Sequence, residues 1–429
     1  MIPKIEQASA QEIKTFQEEK LSELLVYLNG NSPYYKRLFK AHNIDINTIT
    51  SLEDLNQIPT TTKDELQQYN DDFLCVPKNK IIDYVTTSGT LGDPVTFALT
   101  DNDLERLAYN EAISFACAGV RSEDVLQLMT TIDRRFMAGL AYFLGVRKLG
   151  ASIIRVGAGI PELQWDSILK FKPSYLITVP SFLLKLIEYA EQHHIDVNAS
   201  GVKGAICIGE PLRHQDFSLN SLSQRIKEKW HIELYSTYAS TEMNTAFTEC
   251  EHQQGGHHHP ELIIVEILDD DNLPVGPDEV GELTITTLGV EGMPLLRFKT
   301  GDIVQAHHTP CICGRNTMRL GPVVGRKKQM IKYKGTTIYP PAMDNILNDF
   351  NEVESYVIEI FHNSIGTDEI LIKIVSKTMS EKLLSNIKDH FRAKLRVTPK
   401  IEFCDKDEIQ KLQFPVMSRK PVIVFDKRK

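Results

Sequence analysis

The chain has no apolar run approaching the roughly 18 residues that a membrane-crossing helix needs. Residues 1–17 hold neither a basic start nor an apolar stretch of the secretory kind. Both absences point to a cytoplasmic protein without a membrane partner. An excess of positive charge is missing too: 48 Lys and Arg stand against 57 Asp and Glu, a formal charge of −9. That speaks against a broad nucleic-acid surface. Cysteine is sparse and odd in number, with seven residues. Without export, this favours reduced thiols, and any thiol cluster reads as a metal site before a disulfide. There is no G-x-x-x-x-G-K-[ST] loop, so the Walker type of phosphate binding is absent. Internal repeats and low-complexity tracts are missing as well. What remains is a 429-residue chain of ordinary globular composition, long enough for two or three domains.

The stretch Tyr84–Thr100, YVTTSGTLGDPVTFALT, organises the rest. Apolar flanks at Ile81–Val85 and Val95–Leu99 predict two strands around a tight loop. Its glycines allow positive φ and leave no side chain between amide and ligand. Consecutive free amides in such a loop form an anion-binding nest, and Ser88 and the threonines add hydroxyl donors. An ordinary polar hairpin loop has the same composition. Four further segments stand out: IGEP at Ile208–Pro211, YASTE at Tyr238–Glu242, RFKTGD at Arg297–Asp302 and GRKKQMIKYKG at Gly325–Gly335.

Helical spacing predicts helices over Ser9–Asn29, stopped by Gly30, and over Pro33–Ala41. The run TTTKDE at Thr60–Glu65 is a helix start, with Lys63 structural. From Asp101 onward helices and continuous apolar strands alternate, which predicts βαβ units and a buried parallel sheet. Strands are expected at Val125–Met129, Ser152–Val156, Tyr175–Val179 and Ala205–Ile208. Ligands in such sheets sit at the strands' carboxyl ends, which places Ile208–Pro211 and Glu233–Tyr238 along one cleft. Phe136, Met137, Tyr142 and Phe182 are candidate pocket or core residues. From Glu261 the pattern turns strand-rich, and past Gly325 an α+β module of about 100 residues follows. The predicted fold is α/β: a large N-terminal domain over 1–325, with a β subdomain at about 245–325, and a small C-terminal domain over 326–429.

The loop TSGTLGDP resembles the TSGTTGKP signature of adenylate-forming enzymes, the superfamily of acyl-CoA ligases, luciferase and peptide-synthetase adenylation domains. The other four segments resemble that family's motifs in the family's order. ECEHQQGGHHHPELIIVEI and CICGR are similar to the phenylacetate–CoA ligase branch. The resemblance implies a mobile C-terminal domain and a reaction through an acyl-adenylate to a CoA thioester, with ATP, Mg²⁺ and CoA. It implies nucleotide contacts at Ser88, Gly89, Thr90, Gly209, Glu210, Pro211, Tyr238, Ala239, Ser240 and Thr241. Glu242 would hold magnesium and Asp302 the ribose hydroxyls, with Arg326 as a ribose or phosphate contact. Lys420, with Arg419 as rival, would be the near-terminal catalytic lysine, and Lys328 the hinge pivot. Lys427, Arg428 and Lys429 would form a solvated basic tail. One departure stands out: Asp93 occupies the place of the common loop lysine, so positive charge for a triphosphate must come from elsewhere.

Cys250, His257, His259, Cys311 and Cys313 offer soft thiolates and imidazole, a donor set that suits a closed tetrahedral zinc site. With alternation, His257 and His259 share a face, so either can be the fourth ligand. A pair of free surface cysteines near a histidine run is the simpler alternative. The expected partners are a small carboxylic acid, ATP and CoA, with a homodimer compatible. The alternatives are a relative that adenylates a cofactor or charges a carrier protein, and a nucleotide-binding module without turnover.

Overall fold

The computed structural model describes residues 2–87, 95–333, 336–363, 367–414 and 421–428. The expectations for Ser88, Gly89, Thr90, Arg419 and Lys420 lie outside the described residues. The chain divides into two units, residues 1–300 with 304–322, and residues 301–303 with 323–429. No helix among the described residues is long and apolar enough to cross a membrane.

The first unit opens with α1 (Ala10–Asn31), capped by Ser9 and Glu12 in a reciprocal capping box, and α2 (Pro33–Ala41). Gly30 does not stop α1: the helix runs on to Asn31. The break comes at Ser32, which caps α2 and precedes Pro33, where the proline ring disfavours helical backbone. After α3 (Lys63–Gln68), β1 (Ile81–Thr86) and β2 (Thr96–Thr100) pair antiparallel on either side of residues 88–94.

Helices and strands then alternate as α4 (Asp101–Cys117), β3 (Val125–Leu128), α5 (Met137–Leu149), β4 (Ser152–Arg155), α6 (Pro161–Phe171), β5 (Tyr175–Thr178), α7 (Pro180–Gln192), β6 (Gly204–Ile208), α8 (Ser221–Lys229) and β7 (Glu233–Ser240). The strands line up in the order β4-β3-β5-β6-β7, all parallel. Period-two alternation divides their apolar side chains between two cores. Leu176, Ala205, Cys207 and Leu234 pack against Trp165, Leu186, Ile226 and Trp230. Tyr175, Ile177, Ile206 and Tyr235 pack against Phe115, Tyr142 and Val146. Tyr142 is therefore core.

Beyond β7 the path turns antiparallel through β8 (Thr245–Thr248), β9 (Gly256–His257), β10 (Ile263–Leu268), β11 (Val280–Thr287), β12 (Phe298–His307) and β13 (Arg319–Leu320). These strands continue the large sheet, in the order β10-β11-β12-β13-β9-β8-β7.

The second unit contains β14 (Gly325–Arg326), the hairpin β15 (Ile331–Tyr333) and β16 (Thr336–Ile338), α9 (Pro340–Asn348), β17 (Val353–His362), β18 (Asp368–Ser376), α10 (Glu381–Leu395), β19 (Lys400–Phe403), α11 (Lys406–Gln413) and β20 (Val424–Asp426). Its sheet order is β19-β18-β17-β20. Met343, Ile358, Ile372, Ile387 and Phe391 form one core and Val357, Val375 and Ile409 the other. Arg428 is not part of a solvated tail. Its guanidinium donates to Asp368 at 2.8 Å, to Asp426 at 2.6 Å and to the Met330 carbonyl at 2.8 Å, so it clips the last strand onto β15. The predicted α/β architecture, with a large parallel-rich domain and a small α+β domain, is the observed one.

Candidate active site and metal cluster

In the first unit, β6 ends at Ile208 and the chain runs through Gly209, Glu210 and Pro211. The Glu210 carboxylate accepts from the Ser181 amide at 2.8 Å and its hydroxyl at 2.7 Å, and Asn220 donates to the Pro211 carbonyl at 2.7 Å. The side chains thus brace this segment from behind, fixing the backbone at the strand's carboxyl end. One strand over, β7 carries Tyr238, Ala239 and Ser240, and a turn through Thr241 and Glu242 leads to β8. The Ser240 hydroxyl accepts from the Met243 amide at 3.3 Å.

Arg106 on α4 holds this turn from beneath. It donates to the carbonyls of Asn244 at 2.5 Å, Leu262 at 2.6 Å and Leu288 at 2.7 Å. Burial pulls its pKa down to about 10, and Asp103 and Glu261 oppose that. Sequence reasoning missed Arg106 because its partners, three backbone carbonyls and the Thr245 hydroxyl at 3.2 Å, lie 138 to 182 residues away. No spacing rule reports such contacts.

Lys63 has a partner that the sequence does not suggest. Thr62 and Glu65 do form the expected helix start, a reciprocal capping box. Yet the Lys63 ammonium lies 3.3 Å from the Glu242 carboxylate, with the two side chains 32% and 11% exposed. The lysine that the sequence presents as structural is thus the cation facing the carboxylate expected to hold magnesium.

In the second unit, Asp302 and Arg326 are register partners of β12 and β14, and the Arg326 guanidinium donates to Asp302 at 3.3 Å. Lys328 sits in a short 3₁₀ turn, Lys327–Gln329, two residues past β14.

Cys250, His257, Cys311 and Cys313 converge, with one donor atom of each within 4.8 Å of all the others. Cys250 Sγ lies 3.7 Å from Cys311 Sγ, and His257 Nε2 lies 3.4 Å from Cys250 Sγ and 3.6 Å from Cys313 Sγ. A tetrahedral zinc ion with Zn–S near 2.3 Å and Zn–N near 2.0–2.1 Å has S···S edges of about 3.8 Å and N···S edges of about 3.6 Å. The observed edges fit that solid, and 3.7 Å is far beyond a disulfide. Burial, with Arg315 beside it, pushes His257 down to about 3, which keeps the imidazole neutral.

His259 turns elsewhere: its Nδ1 meets Glu6 at 2.5 Å and its Nε2 the Ser114 hydroxyl at 3.3 Å. Arg315 donates to Glu6 at 2.6 Å and to Cys313 Sγ at 3.4 Å. Burial opposes ionisation of Glu6, but His259 and Arg315 hold its carboxyl below the usual range. Likewise burial opposes a Cys313 thiolate, while the Arg315 hydrogen bonds lower that thiol. Cys250 is buried and the other two cysteines are half-buried.

Comparison with known proteins shows what the whole chain is similar to. A phenylacetate–coenzyme A ligase of Thermus thermophilus is 28% identical over 425 residues, covering 92% of this chain and 94% of that protein. One from Escherichia coli is 27% identical over 387 residues, covering 88% and 85%. In fold, the chain is similar to a 2-hydroxyisobutyryl-CoA ligase solved in a postadenylation state, with TM-score 0.86 and 24% identity over 99% of this chain and 92% of that one. Residues 335–428 match the C-terminal domain model of AMP-binding enzymes. The model of the AMP-binding enzyme itself matches residues 8–292, two-thirds of the chain, and the chain belongs to that family.

Proposed function

We propose that this protein is an AMP-forming carboxylic acid–CoA ligase that activates phenylacetate or another aryl acid. The observation that carries this reading is the near full-length match to two phenylacetate–coenzyme A ligases, across both family domains. A carboxylate attacks the α-phosphate of ATP and pyrophosphate leaves. The CoA thiolate then attacks the acyl carbon and AMP departs. The mixed anhydride is needed because a carboxylate is a poor acyl donor, whereas AMP is a good leaving group.

In this reading Gly209–Pro211 present backbone to the adenine and Tyr238 lies against its ring, with Ala239, Ser240 and Thr241 on the phosphate side. Ser88, Gly89 and Thr90 cradle the phosphates. Glu242 holds magnesium, an ion that takes one or two protein carboxylates and draws its other ligands from phosphate and water. Lys63, 3.3 Å from that carboxylate, supplies positive charge that Asp93 does not. Asp302 accepts from the ribose hydroxyls, since a carboxylate offers acceptors only. Lys420 stabilises charge during adenylation, and Lys328 is the pivot between the half-reactions. Cys250, His257, Cys311 and Cys313 hold a structural zinc, because four protein ligands leave no open position.

The test is pyrophosphate release and CoA thioester formation across arylacetic, benzoic, indoleacetic and fatty acids. Acid-dependent release with a thioester product supports the ligase. Release without a thioester points to a cofactor-adenylating relative, and no release with any acid to a nucleotide-binding module.

A further inference from the structure

Between β3 and α5 the chain makes a four-residue turn, Asp133-Arg134-Arg135-Phe136, closed by the Phe136 amide donating to the Asp133 carbonyl at 3.2 Å. Arg134 and Arg135 both have φ +58°. Positive φ at both central residues is the pattern of a type I′ turn, whose natural occupants are Asn and Gly. A side-chain-bearing residue there costs roughly 1–2 kcal/mol. Two successive arginines are thus a poor choice for stability, and such strain collects at functional sites.

Three observations place the turn. First, it follows the carboxyl end of β3, which lies between β4 on one side and β5 on the other. Because β4 precedes β5 in sequence, this is where the strand order reverses, and open α/β sheets bind ligands at that point. Second, the Arg135 carbonyl accepts from the Thr86 amide at 3.0 Å, and Thr87 next to it is tied to Val95 in both directions at 3.0 Å. The turn is therefore fastened to the stem of the Ser/Thr/Gly segment, whose sequence carries Asp93 where a lysine is common. Third, the loop is locked over the start of α5: a Cβ on Gly139 would lie 2.0 Å from the Thr131 carbonyl oxygen.

Both arginines are exposed. Arg134 has Asp133 as a neighbour at 4.0 Å, and among the described residues no carboxylate pairs with Arg135. A planar guanidinium can pair in bidentate fashion with phosphate oxygens, and two successive arginines on a solvent-facing turn offer two such groups.

We propose that Arg134 and Arg135 form a phosphate-binding site for a phosphate group of ATP or of CoA. The proposal rests on the ligase reading only for the choice of ligand. The discriminating variant is Arg134→Asn/Arg135→Gly, which gives the turn its preferred residues while removing both charges. Wild type and variant are titrated calorimetrically with MgATP, inorganic pyrophosphate, CoA and dephospho-CoA. We expect an equal or higher melting temperature and about tenfold or more weaker binding of a phosphate ligand, the scale of losing hydrogen bonds between charged groups. A loss shared by MgATP and pyrophosphate assigns the triphosphate. A loss for CoA but not dephospho-CoA assigns the 3′-phosphate, and equal losses for both assign the CoA diphosphate.

Equal affinities for all four ligands in the folded variant overturn the proposal, as does a wild type that binds none of them. Should the double variant not fold, Arg134→Gln and Arg135→Gln separately face the same criterion. Absence of thioester from wild type with every acid would remove the ligase reading alone, since the titrations need no turnover.

Discussion

Glu111 gives the sharpest link between this structure and a measurable pH dependence. It lies on α4, buried where α5 crosses, and a Cβ on Gly145 would come within 2.2 Å of its own Cβ. The hydrogen bond its carboxyl receives comes from the neighbouring Asn110 amide, at 3.1 Å. Burial pushes the carboxyl up from 4.5 to about 8, and Asn110 opposes the rise. Between those values the folded protein holds a proton that the unfolded chain has released. Stability therefore falls as pH rises, by about 1.4 kcal/mol per pH unit for one proton. Over the 3.5 units between 4.5 and about 8 the loss approaches about 5 kcal/mol. It is complete once pH passes the folded value.

Glu111→Gln keeps the shape and removes the proton. Urea unfolding from pH 5 to 9, read by the fluorescence of Trp165 and Trp230 in the same unit, measures both proteins. The variant should gain on wild type steadily with pH, by about 3 kcal/mol at pH 7 on this slope. Superimposable pH profiles would refute the burial argument.

Metal analysis should give about one zinc per chain, and Cys311→Ser should lower both zinc content and melting temperature; a folded, fully active protein without metal would remove that assignment. Lys63→Met should slow acid-dependent pyrophosphate release by ~10-fold or more with little change in melting temperature, because a partly exposed pair contributes about 0–1 kcal/mol. An unchanged rate would return Lys63 to a purely structural part. Lys420→Ala should slow pyrophosphate release by ~10²-fold or more while using synthetic acyl-AMP nearly normally; equal losses in both assays would sink the assignment. Lys328→Pro fixes φ at the proposed pivot, so acyl-AMP formation should survive while thioester formation falls sharply, and thioester formation from preformed acyl-AMP at wild-type rate would place the pivot elsewhere.

Much of the fold was readable because periodicity is a local property. The strands from β3 to β6 are short apolar runs between helices, and burial on both faces is what such runs require. The alternation of Ile206 and Cys207 between opposite cores follows from the strand period alone. The long β12 was missed because the sequence RFKTGD draws attention as a motif and alternates weakly, and β8 because it follows β7 without a break in composition. Gly30 misled for a similar reason: a glycine in mid-helix is tolerated where nothing demands a side chain, and nothing approaches within 4 Å of a Cβ there.

The sequence by itself determined the layout: an α/β domain of apolar strands between helices, a small α+β module towards the C-terminus, and the residue types expected for phosphate, ribose and metal, while the second unit takes in residues 301–303 and begins again at 323 rather than at the expected 326. Tertiary structure decided which of those groups meet. His257 and His259 are equivalent by alternation, yet only His257 reaches the cysteines, because Glu6 and Ser114 hold the other ring. Lys63 faces Glu242 although 179 positions separate them. Arg428 is a clip, not a tail, because Asp368 and the Met330 carbonyl lie beside the last strand. Each outcome depends on a contact between groups far apart in the chain. Local spacing encodes the period of an element and which face a residue takes, whereas the partner across a contact is fixed only when the elements pack.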